Sequence, residues 1–125
     1  MKQGEVTALK TAPYIYVVTM WVNPEGGEQV IKWLDTTHIA EILEQPGFLW
    51  ATRLRLAQAR SDGWIAHQII YGLESGKALD DYQNSPERER FSREARERFA
   101  KVGLRFENLV KAERVWGEVE TVRVA

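Results

Sequence analysis

The 125-residue sequence contains no cysteine. That removes disulfides, thiol nucleophiles and thiolate metal ligands together, and it fits a reducing compartment. Histidine is nearly as scarce, with two residues, His38 and His67. Without a convincing third ligand, two imidazoles make a poor zinc or iron site. No long apolar run is present. The most apolar stretch, Tyr14 to Val22, is interrupted by Thr19 and is about half the length that crosses a bilayer. The polar N-terminus before Pro13 has no apolar segment of the signal-peptide kind, so a cytoplasmic protein is expected. There is no excess of charge of one sign: 17 basic against 18 acidic residues give a formal net charge of -1, which does not favour a nucleic-acid partner. Phosphate loops, dinucleotide fingerprints, serine elbows and H-E-x-x-H motifs are absent too.

What remains is an ordinary globular balance, 44% hydrophobic and 28% charged. Residues 1–12 read as a frayed tail and residues 13–125 as one domain. PYIYVVTMWV, residues 13–22, is β-branched and aromatic and predicts a strand. A helix follows, starting at Pro24 or after Gly26-Gly27. Its stripe of Ile31, Leu34, His38 and Ile42 is widened by Val30, Ile39 and Leu43, and Pro46-Gly47 stops it. Residues 48–58 and 64–74 predict two strands joined through the Asp62-Gly63 turn. Two helical pieces follow, 75–83 and about 86–102, the second carrying Phe91, Ala95, Phe99 and Val102 on one side. A last strand is expected within residues 105–124.

The order β-α-β-β-α-β is the ferredoxin-like motif, an α+β fold with both helices on one face of a four-stranded antiparallel sheet. Its central strands show no polar face. Tyr14, Tyr16, Val18, Met20 and Val22 oppose Ile15, Val17, Thr19 and Trp21. Likewise Ile65, His67, Ile69, Tyr71 and Leu73 oppose Trp64, Ala66, Gln68 and Ile70. A sheet covered by helices on one side alternates more cleanly. The expected cover is a second copy, two sheets pairing as a dimeric α+β barrel.

YIYVVTMWVNPE, VIKWLDTTHIAEILEQPGFLWATRLRL, WIAHQIIYGLES with ALDDYQNSPERERF, and KAERVWGEVE together resemble the DUF4286-type small proteins. These sit within the wider dimeric α+β barrel group that includes the EthD-like proteins. The resemblance implies a pocket between sheet and helices or facing the partner sheet, with a first-helix histidine near it; the matching position is His38. It also implies the group's range of activities: cofactor-free monooxygenases, lactone isomerases, polyketide cyclases and haem-binding relatives.

Candidate catalytic residues are His38, on the inward helix stripe, and His67, which can share a cavity with it and divide proton donation and abstraction. Either can equally be a structural core histidine. Tyr16, Trp64, Tyr71, Trp50 and Trp21 are candidate substrate-binding residues, with tyrosine hydroxyls able to orient an oxyanion. Arg53 can hold a carboxylate or phenolate, although with Arg55 it also fits a solvated edge strand. The helix PERERFSREARERFAK interleaves arginine and glutamate, which fits a solvated face rather than a nucleic-acid surface. The expected activity is cofactor-independent proton transfer, namely isomerisation, cyclisation or elimination, on a small apolar or aromatic molecule with His38 as acid or base. The alternatives are a non-catalytic homodimer that binds a ligand or partner, and cofactor-free oxygenation of a phenolic or polyketide-like substrate. No cofactor, metal or membrane partner is expected. A cavity of roughly 300 Å³ or more reaching an unpaired His38 nitrogen would favour catalysis.

Overall fold

The computed structural model describes residues 12–60 and 62–125. The tail expected over residues 1–12 lies outside them, apart from Ala12, which is buried. Strand β1, Tyr14–Val22, is followed by a long helix α1 in three parts: an α-helical start at Gly27–Trp33, a π-turn at Leu34–His38 and an α-helical end at Ile39–Leu43. Strands β2, Phe48–Ala59, and β3, Ile65–Leu73, form the hairpin. Helices α2, Gly76–Gln83, and α3, Pro86–Ala100, come next, then a single turn α4, Phe106–Leu109, and strand β4, Val110–Glu118.

Local chemistry explains the boundaries. Gly47 takes a φ of 84° beyond the end of α1, in the left-handed region where glycine is free of a side-chain penalty. The Ser75 hydroxyl accepts from the Ala78 N–H to cap α2. The Ser85 hydroxyl accepts from the Arg88 N–H to cap α3, with Pro86 opening its first turn. Helix α3 ends at Ala100, so Val102 leaves the expected inward stripe and is exposed.

The sheet is antiparallel with the order β2-β3-β1-β4. Its helix-covered face carries the core: Tyr16, Met20 and Val22 of β1 and Ile69, Tyr71 and Leu73 of β3 are buried against Val30, Trp33, Leu34 and Ile42 of α1 and Phe91, Ala95 and Phe99 of α3. The expected barrel is not what the chain forms. The sheet is open, with β2 and β4 as separate edges that do not pair. Four strands fall well short of the about eight that close around a packed interior.

Part of the cover demanded by the outward apolar residues comes from the sheet itself. An ideal Cβ on Gly72 would lie 2.3 Å from the Trp50 indole, so the ring rests directly on that bare stretch of β3. On the same face Gln68 donates to Thr19 across the strand pair at 3.3 Å, which satisfies the two polar side chains there. Lys111 sits over the Trp64 ring at 5.1 Å, and Arg60 over Trp21 at 5.9 Å.

Candidate active site

The chemistry of α1 turns on its π-turn. The Thr36 hydroxyl donates to the Lys32 carbonyl at 2.6 Å, competing for an acceptor of the helical ladder, and the Ile39 N–H reaches back five residues to Leu34. One extra residue per turn changes which side chains align. Trp33 and His38 stack with ring centroids 4.4 Å apart and planes at 15°. Phe91 of α3 meets the other side of the imidazole edge-on at 5.9 Å. Such π-turns recur at functional sites.

His38 lines a cavity of about 180 Å³ between sheet and helices. Its apolar walls include Met20, Leu34, Ile69 and Ala95, while Tyr16, Tyr71, Tyr82, Arg88 and Arg114 supply polar groups. His38 Nδ1 is buried with no hydrogen-bond partner among the described residues. Burial, reinforced by the Arg114 charge, pushes the imidazole down to about 4, so it is neutral near pH 7. Burial also raises the Tyr71 phenol far above its ordinary value and pushes Tyr82 up to about 12, keeping both as O–H donors. Tyr16 stacks on Tyr71 at 5.8 Å, and Phe48 packs edge-on against Tyr71 and Tyr82. The arrangement is an apolar slot with a neutral base, hydroxyl donors and two guanidiniums.

Of the residues singled out in the sequence, His38, Tyr16 and Tyr71 meet at this cavity. His67 does not line it. His67 and Arg53 lie on the other side of α1, in a groove that also includes Arg55. There Arg53 donates from Nε and Nη2 to the two Asp35 carboxylate oxygens, each at 2.8 Å, and its Nη1 lies 3.1 Å from His67 Nδ1. Trp21, Trp50 and Trp64 belong to the opposite, outward face of the sheet. Tyr82, Arg88 and Arg114 were missed, because they come from α2, the start of α3 and β4, whose relation to β1 is set only by the tertiary fold. Trp33, three residues after Val30 on the same helical face, was missed as a partner of His38 because the π-turn that brings the two together breaks the regular period; the signal was the Thr36-Thr37 pair inside the helix.

Among the described residues no group of three or more His, Asp or Glu side chains is placed to hold a metal ion. A histidine is a usual axial ligand of haem iron. The 180 Å³ cavity around His38 falls below the roughly 300 Å³ lower bound of ordinary ligand pockets, so a tetrapyrrole does not fit it as it stands.

The α+β fold is shared with solved structures of low sequence identity. MhuD, a haem-degrader from Mycobacterium tuberculosis solved with two haems in its active site, is 22% identical with a TM-score of 0.60, covering 90% of this chain and 100% of its own. SnoaB, a cofactor-independent oxygenase from Streptomyces nogalater, is 14% identical with a TM-score of 0.59, covering 90% and 97%. An EthD-family protein from Bacillus halodurans is 14% identical with a TM-score of 0.56, covering 85% and 98%. At these identities the likeness establishes the fold. The model of the family described as a domain of unknown function, DUF4286, matches residues 13–112, and the chain belongs to that family. No curated protein matches the chain in sequence.

Proposed function

We propose that the protein is a cofactor-independent oxygenase of a small, flat phenolic molecule bound in the His38 cavity, whose volume of about 180 Å³ falls short of the roughly 300 Å³ expected of a catalytic pocket and so restricts the substrate to one or two fused rings. The observation that carries this reading is His38 itself: a neutral imidazole with an unpartnered, buried Nδ1, on an aromatic-walled slot lined by three tyrosines and two arginines. SnoaB, a cofactor-independent oxygenase of the same fold, supports oxygen chemistry over isomerisation or elimination.

In the proposed reaction, His38 takes the phenolic proton while Tyr71 and Tyr82 donate hydrogen bonds to the oxyanion and Arg88 and Arg114 offset its charge. The electron-rich phenolate passes one electron to dioxygen. The radical pair joins through a new C–O bond, and the imidazolium protonates the peroxide. His38 then takes the proton from the same carbon; C=O forms as O–O breaks, and the departing hydroxide regains that proton as water. Each turnover converts one phenol and one dioxygen into one quinone and one water.

The test supplies hydroxynaphthalenes to metal-free, flavin-free protein in air and follows oxygen with an electrode and quinone by absorbance. Equimolar oxygen uptake and quinone formation are expected, falling about 100-fold or more in His38→Gln. Binding without oxygen uptake would leave a ligand-binding protein, and uptake unchanged in His38→Gln would remove the proposed base.

The outward sheet face supports a second copy of the chain as its cover, since Ile15, Val17 and Ile70 are half-buried and Val115 is 64% exposed. Light scattering should then give twice the chain mass, and a monomer at working concentration counts against a homodimer. Among the described residues no helix is long and apolar enough to cross a membrane. Together with the lack of cysteine, this supports the cytoplasm as the site of action.

A further inference from the structure

The groove on the other side of α1 has a volume of about 550 Å³, within the roughly 300–1,000 Å³ range of small-molecule sites. Its floor and one wall are apolar, from Val22, Ile31 and Ile65. Arg53, Arg55 and His67 give it a polar end.

The protonation pattern at that end is fixed by its hydrogen bonds. A guanidinium only donates, so the 3.1 Å contact from Arg53 Nη1 makes His67 Nδ1 an acceptor and leaves the ring proton on Nε2. Burial and the neighbouring Arg53 and Arg55 charges hold the His67 pKa below its ordinary value, so the ring is neutral. The residue is only 6% exposed and lines the groove, and with Nδ1 engaged by Arg53 the Nε2–H is the donor the ring has left to offer. The Arg53 charge is already matched by both oxygens of Asp35. Arg55, directly opposite His67 on β2, has no ion pair among the described residues. The groove therefore offers one guanidinium without an ion-pair partner and one neutral N–H donor beside an apolar trough, with Glu28 elsewhere on its lining.

We propose that this groove binds a small molecule with a single carboxylate on an apolar body. Arg55 takes the carboxylate, His67 Nε2–H donates to one of its oxygens, and the apolar body lies along Val22, Ile31 and Ile65. A monoanion matches the single Arg55 charge at the polar end, and with Glu28 also on the lining the groove holds no surplus positive charge for a dianion. A phosphate dianion would carry a second negative charge toward Glu28, which also lines the groove. The site shares no lining residue with the His38 cavity, so it stands or falls independently of the oxygenase reading.

The experiment is an NMR titration of the full chain with octanoate, octanol and inorganic phosphate, following backbone amides and the imidazole nitrogens. Octanoate should give saturable shifts at Arg55, Ile65 and His67, with the His38 ring unmoved. Octanol should bind at least about tenfold more weakly. Phosphate in tenfold excess should not displace octanoate. Arg55→Gln, at an exposed position, should weaken octanoate by about tenfold or more while the His67 nitrogens keep the Nε2–H pattern. Equal binding of octanoate and octanol, or undiminished binding by Arg55→Gln, would overturn carboxylate recognition. Displacement by phosphate would overturn the monoanion assignment, and shifts at His38 in place of His67 would move the ligand to the other cavity. No saturable shift with octanoate would overturn the site.

Discussion

Trp33 and His38 lie face to face across five residues of one helix, with ring centroids 4.4 Å apart. On a regular α-helix those positions point about 140° apart. The π-turn at Leu34–His38 brings them together, and Phe99 and Phe106 hold Trp33 edge-on from α3 and α4. The histidine is thus clamped by aromatic faces rather than by hydrogen bonds. Trp33→Ala should cost about 3–5 kcal/mol, as for other buried aromatic truncations, whereas Trp33→Phe keeps a face for the imidazole and should cost far less. Denaturant unfolding measures both. If the clamp holds His38, its NMR-determined pKa should also rise toward 6.5 in a folded Trp33 variant, because water gains access to the ring. An unchanged pKa would mean that other groups bury it.

His38 makes stability depend on pH. Its folded pKa of about 4 lies below the ordinary 6.5, so between those values the unfolded chain binds the proton and the folded chain does not. Stability is therefore full above about pH 6.5 and declines as pH falls toward 4. The slope from this one group is at most about 1.4 kcal/mol per pH unit. His67, also lowered, adds a decline of the same sign. His38→Gln should flatten the His38 part of the decline in urea midpoints measured at pH 7, 6 and 5. A decline as steep in the variant as in the parent would mean that His38 is not the group responsible.

The architecture was legible because hydrophobic period and turn chemistry report on it locally. The four strands, the Asp62-Gly63 hairpin and the Pro46-Gly47 helix stop are written in neighbouring residues. The π-turn was not, because a stripe of Ile31, Leu34, His38 and Ile42 reads as regular helix unless Thr36 is seen to take the Lys32 carbonyl. The site divided along the same line. Tyr16, Tyr71 and His38 sit on inward positions of elements already recognised. Arg114 and Arg88 sit in charged segments that look solvated in sequence, and only the placement of β4 beside β1 and of α3 over the sheet brings them to the cavity. The barrel expectation failed because alternation tells which residues need cover but not what covers them, and a tryptophan on the sheet's own edge strand supplied some of it.

That tryptophan gives a test. An ideal Cβ on Gly72 lies 2.3 Å from the Trp50 indole, a distance that forces the ring to move. Gly72→Ala should cost about 1–3 kcal/mol, as overpacking does elsewhere. Trp50→Ala removes the obstacle, so the double variant should be more stable than the sum of the two single losses implies, by about 0.5–3 kcal/mol. Thermal or denaturant unfolding of the four proteins gives this coupling. Strict additivity would mean that the indole does not rest on Gly72 in solution.

Asp35, Arg53 and His67 form a chain in which the two charged members act on the histidine with opposite signs. The Arg53 charge lowers the His67 pKa and the Asp35 charge raises it, the arginine being the nearer and stronger influence. Asp35→Asn leaves Arg53 charged and without its carboxylate partner, so the His67 pKa should fall further. Arg53→Gln removes the cation and should raise it toward the ordinary value. In stability the two variants should cost little, about 1 kcal/mol or less for the ion pair, because the Asp35 and Arg53 side chains are 45% and 24% exposed and solvent screens them. The Asp35 carboxylate, held below its ordinary value first by the Arg53 hydrogen bonds, contributes that stability above pH 3.8 and loses it as the pH falls through its folded pKa. An imidazole NMR titration of parent and variants reads the effect directly. Shifts of the same sign in Asp35→Asn and Arg53→Gln would show that burial alone, rather than the Arg53 contact, sets the state of His67.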